Sequence, residues 1–174
     1  NAVIRVAAIY SVNMRDMTQR VREFQRRNPD AKVEVDYPHP DRVLERVLND
    51  EADLGIISYP DERKALTVIP WHEQEMVLVC APQHRLASAK SIEVSELRSE
   101  VFVGFDTDLV IAKRIDKFLR ERGVDPNVVV RFDNIEAAKR AVEAGSGIAI
   151  LPKPTLEHEL QLGTLVAVAL AGMK

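Results

Sequence analysis

A single cysteine, Cys80, in 174 residues excludes an internal disulfide. Its place in the apolar run Met76-Val77-Leu78-Val79-Cys80-Ala81 reads as a buried thiol in a reducing compartment. Aromatic residues are scarce, at 5%, so the chain offers no long stacking platform for bases. An excess of positive charge is missing as well. The formal net charge is −3, whereas a domain that grips nucleic acid through its phosphates is usually basic. That deficit lies in residues 1–80 and the remainder balances to zero, so neither half is a concealed basic module. The longest apolar run falls short of the roughly 20 residues that span a bilayer. No positively charged N-terminus precedes an apolar segment, so no secretory or membrane segment is expected and the chain is placed in the cytoplasm. Asn1-Ala2 leads abruptly into the first strand, which reads as the start of a fragment of something longer.

What is present suits a globular core under a charged surface: 46% hydrophobic and 29% charged residues. Strand and helix signals alternate along the chain, the pattern of an α/β layer fold with parallel strands. A strand is predicted over Val3–Ile9, then a helix with Met14, Met17, Val21 and Phe24 on one face, capped by Ser11 or Asn13 and stopped at Asn28-Pro29-Asp30. Lys32–Tyr37 alternates as a strand, and Asp41 opens a helix that faces Val43, Leu44, Val47 and Leu48 inward. Asp53–Ile57, Thr67–Pro70 and Met76–Cys80 complete a first β-α-β-α-β unit with extra strands, and Ala81–Lys90 reads as a connector. The pattern then restarts. Val101–Phe105, a helix ended by Gly123, Val128–Phe132, a helix stopped by Gly145, and Ile148–Leu151 form a second such unit.

In open parallel sheets, ligands bind outside the carboxyl ends of the strands. The candidate walls are therefore the segments Tyr10–Asn13, Pro38–Pro40, Ser58–Pro60, Gly104–Asp108 and Asp133-Asn134, facing a small molecule in a cleft between two lobes. Helix N-termini there favour anionic groups, while Asp106 and Asp108, if both faced the ligand, would disfavour them. Each residue also has a plainer structural reading. Ser11, Asn13, Thr107 and Asp133 are good helix caps, Phe105 is ordinary core filler, and the loop acids are solvated. Arg15, Arg20, Arg22, Arg26 and Arg27 read as a solvated or subunit-contacting helix face.

No catalytic arrangement emerges. His39, His72, His84 and His158 are scattered without a second ligand at metal spacing, and Glu157-His158-Glu159 has no partner motif. Gly145-Ser146-Gly147 follows a helix and precedes a strand, the reverse of a phosphate-binding loop, and reads as a tight left-handed turn. Neither catalytic residues, metal nor cofactor are expected, and the chain is read as a non-enzyme.

Phe132-Asp133-Asn134-Ile135-Glu136 through Ala144-Gly145-Ser146-Gly147-Ile148-Ala149-Ile150-Leu151-Pro152 resembles the effector-binding domain of LysR-type transcriptional regulators. Glu159–Val166, Arg26–Asp30, Glu51–Ile56 and Leu78–Ala87 resemble it too, in the right order over nearly the whole chain. The resemblance implies a periplasmic-binding-protein-like fold: two Rossmann-like lobes joined by crossover strands near Cys80 and Leu165. Residues 1–81 would form lobe I and 82–163 lobe II, with 164–174 returning toward lobe I and its closing segment absent. Effector contacts would come from Ser11, Val12 and Asn13, from His39 and Pro40, and from Ser58 and Tyr59. The second lobe would add Phe105, Asp106, Thr107, Asp133 and Asn134. A small-molecule effector would alter the geometry of a homo-oligomer, dimer or tetramer. DNA would be met only through an N-terminal helix-turn-helix absent from this chain. A solute-binding protein of the same fold is the alternative.

Overall fold

The computed structural model describes residues 2–9, 14–58, 60, 63–71 and 73–173. Two compact units, Asn1–Trp71 and His72–Lys174, divide the chain ahead of the boundary at 81 expected from the sequence.

The first unit is a three-stranded parallel sheet in the order β2-β1-β3, made by β1 (Ala2–Ala8), β2 (Ala31–Asp36) and β3 (Leu54–Ile56). Two helices accompany it, α1 (Met14–Arg27) and α2 (Pro40–Leu48). Ala7, Ala8 and Ile9 bury against Met17, Val43 and Ala52, and so the central strand carries small and branched residues without charge at its C-terminal end. Gly55 makes room for α2, because a Cβ there would lie 3.0 Å from Val47 Cγ2 and 3.1 Å from Val43 Cγ1. Two expected inward faces end at the helix margin: Phe24 and Leu48 are each 41% exposed. Thr67–Pro70, expected as a strand, has no regular structure, and Ile69 is 76% exposed.

The second unit begins with β4 (Met76–Cys80), which was expected to finish the first. Its hydrogen-bonded partners explain the reassignment. It runs antiparallel to β8 (Ala149–Pro152) and to β9 (Val166–Leu170), and β9 also pairs in parallel with the short β5 (Ser91–Ile92). Farther along, β6 (Val101–Phe105) and β7 (Asn127–Phe132) are parallel. A bridge between Phe102 and Ile148 joins β6 to the start of β8, so the strands run β7-β6-β8-β4-β9-β5.

Helices cover this sheet on both sides. Met76, Leu78, Cys80, Phe102, Ile148 and Ile150 pack with Leu119 of α3 (Val110–Glu121). Val77, Val79, Val103, Phe105, Ala149 and Leu151 pack with Ala138 and Val142 of α4 (Ile135–Glu143). The period of two is intact along β4, yet both of its faces are buried, which is why Met76–Cys80 reads as an unbroken apolar run. Burial pushes the Cys80 thiol up, with a smaller push from Glu100.

Two further segments are folded by polar contacts. In the connector, His84 Nδ1 accepts from the Leu86 N–H at 3.1 Å, and its Nε2 lies 3.1 Å from Glu100 Oε2. Arg85 Nε donates to the other oxygen of Glu100 at 2.6 Å. After β8 come a 3-10 turn (Lys153–Leu156) and α5 (Glu157–Leu162), and α5 places Glu159 in the interior.

Candidate functional site

Register decides which loops share an edge. In the first unit Ala7 lies beside Asp36 and Ala8 beside Ile56, so the segments leaving β1, β2 and β3 emerge side by side. In the second unit Phe105 lies beside Phe132, which brings Asp106–Asp108 next to Asp133-Asn134. The Asp106 N–H donates to the Phe132 carbonyl at 2.9 Å and ties the two loops together. Each unit thus gathers its described candidates at the carboxyl ends of parallel strands.

Ser11, Val12 and Asn13, with their expected capping of α1, and Tyr59 lie outside the described residues. Ser58 is exposed where the chain leaves β3. His39 and Pro40 form the start of α2 rather than Asp41. His39 Nδ1 accepts from the Asp41 N–H at 3.4 Å, and Pro40 occupies the first helical turn, where a missing N–H costs nothing. Tyr37, just before them, is half-buried, and burial pushes its phenol up.

In the second unit the side chain of Phe105 is core, 3% exposed beside Leu109, Ala112 and Ile135. Alternation along β6 turns Val103 and Phe105 the same way, so Phe105 offers the edge its backbone alone. Asp106 is half-buried, while Thr107, Asp108 and Asp133 are exposed. Neither Thr107 nor Asp133 caps a helix. Leu109 stands at the start of α3 without a side-chain bond, and Asn134 caps α4, its Oδ1 accepting from the Ala137 N–H at 2.8 Å. The amide nitrogen of Asn134 donates to Asp133 Oδ1 at 2.9 Å, which fixes the orientation of both side chains.

A cation missing from the sequence reading stands at the same edge. Arg131, near the end of β7, donates from Nη1 to the Phe105 carbonyl at 2.8 Å. Its signal was available as the one charge within the run Val128-Val129-Val130-Arg131-Phe132. The edge therefore carries carboxylates, a guanidinium, an oriented amide and the N-terminus of α4. That set suits a small polar molecule with both donors and acceptors. The glycine turn behind it is structural. Gly145, at φ 83°, ends α4 with its N–H on the Val142 carbonyl, and the Ser146 N–H reaches the Ala141 carbonyl, the double bond pattern of a Schellman turn.

Known proteins place this architecture. A family described as the LysR substrate binding domain matches residues 1–174. A probable RuBisCO transcriptional regulator of Cyanophora paradoxa is 32% identical over 148 residues, covering 82% of this chain and 46% of that protein. The HTH-type transcriptional regulator CysL of Bacillus subtilis is 26% identical over 157 residues, covering 90% and 52%. The chain thus spans about half the length of the relatives it matches. The regulatory domain of Synechocystis PCC6803 CcmR, solved in complex with 2-PG, superposes with a TM-score of 0.89 at 24% identity, over 99% of this chain and 83% of that one. Its likeness establishes the shared α/β fold of periplasmic-binding-protein type. By its full-length match, the chain belongs to the LysR substrate-binding domain family.

Proposed function

We propose that this chain is the effector-sensing part of a DNA-binding transcription regulator. A small metabolite binds the strand-end loops and favours one conformation, and that preference is passed to a DNA-binding segment. The observation that carries this reading is the family match over residues 1–174. Two others support it: the relatives are transcriptional regulators, and a protein of the same fold has been solved with 2-PG. The solute-binding alternative finds no support among them.

The effector contacts are Ser11, Val12, Asn13, His39, Pro40, Ser58 and Tyr59 from the first unit. Asp106, Thr107, Asp133, Asn134 and the Phe105 backbone come from the second, with Arg131 beside them. DNA contact falls to the part of the relatives' length that this chain does not span. Self-association, as dimer or tetramer, runs through α1 and its arginines. The protein works in the cytoplasm and catalyses no reaction; among the described residues no helix is long and apolar enough to cross a membrane. An effector coupling of about 1–3 kcal/mol suffices for such a regulator.

A thermal-shift screen of small metabolites, 2-PG included, tests the reading. A ligand specific to the folded state at a hundred times its dissociation constant adds about 2.7 kcal/mol of stability, so at least one compound should raise Tm by several degrees. Chemical turnover of such a compound by the protein would sink the non-enzymatic reading. A screen without any shift would sink effector binding.

A further inference from the structure

Lys139 lies on α4, a turn and a half beyond the Asn134 cap, and is buried. Its ammonium donates to Glu159 Oε1 at 2.6 Å and to the Thr155 carbonyl at 2.9 Å, and lies 2.8 Å from Glu136 Oε1. Three acceptors match the three donors of the group. Thr155 belongs to the 3-10 turn after β8, and its hydroxyl donates to the Pro152 carbonyl at 2.6 Å. In the same turn the Lys153 N–H donates to the Glu75 carbonyl at 2.8 Å, and Lys153 Nζ lies 3.5 Å from Glu75 Oε2. Glu75 immediately precedes β4, on the segment by which the chain enters the second unit after Trp71.

We propose that Lys139 is a positioning residue that ties the α4 N-terminus to the segment joining the two units, so that a ligand engaging Asn134 is felt at Glu75. This rests on the reading of Asn134 as an effector contact. Ala138 and Val142 also hold α4, but apolar contact is non-directional and allows a helix to slide or turn. Two directed, charge-assisted bonds that leave the helix, to Glu159 and to the Thr155 carbonyl, fix its axial position and its rotation, while the Glu136 contact stays within α4. Among the described residues Oε2 of Glu159 is buried without a hydrogen-bond partner, and the bond from Lys139 is the largest influence that favours the charge on this carboxylate, ahead of its own backbone N–H and of His158.

Amide hydrogen exchange on the protein tests the link without any ligand. Asn134→Ala removes the acceptor of the Ala137 N–H, which should then exchange roughly fivefold faster. With Lys139 present, the acceleration should reach the Lys153 N–H, by about twofold or more. In a Lys139→Met background the Lys153 N–H should not respond to Asn134→Ala. Amides of β4 report opening of the whole unit, and exchange is normalised to them, which separates positioning from a general loss of stability. Should Lys139→Met fold poorly, Lys139→Met with Glu159→Leu removes both charges and serves as the background. An equal response of Lys153 in both backgrounds, or none with Lys139 present, would overturn the proposal. A metabolite screen without any shift would remove the effector reading and leave this mechanical link standing.

Discussion

Nζ of Lys139 and Oε1 of Glu159 lie 2.6 Å apart with both side chains buried, at 6% and 12% side-chain exposure. The pair joins α4 to α5 across the edge of the second unit. Removing Lys139 takes the ammonium away from the buried Glu159 carboxylate, and breaking a buried pair in this way typically costs about 3–5 kcal/mol. Lys139→Met should therefore destabilise the protein by roughly that amount in urea or thermal denaturation. Lys139→Met with Glu159→Leu should recover most of the loss, because a well-packed apolar pair is often as stable as a buried ion pair. If the double substitution were no more stable than Lys139→Met alone, the pairing would not be what holds α5 in place.

The same pair fixes a dependence on pH. Burial works against the charge on Lys139, but its bonds to Glu136 and Glu159 outweigh burial and raise its pKa above 10.5. Burial likewise pushes Glu159 up, but the Lys139 bond, with smaller help from its own backbone N–H and from His158, holds the carboxyl below 4.5. The raised lysine stabilises fully below its unfolded value and loses that contribution as pH rises through its folded one. The depressed carboxylate stabilises above its unfolded value and loses that contribution as pH falls through its folded one. The stability difference between the wild type and Lys139→Met with Glu159→Leu should therefore be flat through the neutral range. It should shift against the wild type only in acid below 4.5 and in alkali above 10.5. A slope between those limits in denaturation measured against pH would contradict the assignment.

How far the sequence carries the fold depends on the strength of its stop signals. β6-α3-β7-α4-β8 is legible because Gly123 and Gly145 end the helices in left-handed turns and the strands between are apolar. β4 is legible as a strand but not as a member of either unit. A run buried on both faces reads the same whichever sheet claims it, and its partners at 149–152 and 166–170 lie far along the chain. β5 and α5 are too short to show a period. At the site, strand ends locate the loops, and period-two alternation already implies that Phe105 faces inward with Val103. The Lys139–Glu159 bond is invisible locally. Lysine is normally solvated, and nothing near position 139 points to position 159.

Gly147 has a different constraint from Gly145. A Cβ on Gly147 would sit 2.6 Å from the Val101 carbonyl oxygen, the atom that accepts from the Ile148 N–H at 2.8 Å. The obstacle is backbone, which cannot rotate away, so Gly147→Ala must push β8 from β6. A loss of about 1–3 kcal/mol is expected. Ser146→Ala, with no such neighbour required, should stay within about 0.5 kcal/mol of wild type. Urea denaturation of the two variants checks this, and equal midpoints would show that the β6–β8 junction tolerates the added carbon.

Asn134 combines a structural and a proposed binding role, and one substitution separates them. Asn134→Ala removes the cap and should cost about 1 kcal/mol of stability. Asn134→Asp keeps an oxygen for the Ala137 N–H, so stability should fall far less. It replaces the amide donor with a second carboxylate beside Asp133, however. If the Asn134 amide serves an effector's acceptor group, Asn134→Asp should weaken binding of any screen hit about tenfold or more, the equivalent of one charge-affected hydrogen bond. Ser11→Ala should weaken the same compound independently. Isothermal titration with the compound that gives the largest thermal shift decides it. Unchanged affinity in Asn134→Asp combined with Ser11→Ala would remove both residues from the site and leave the loops as scaffolding only.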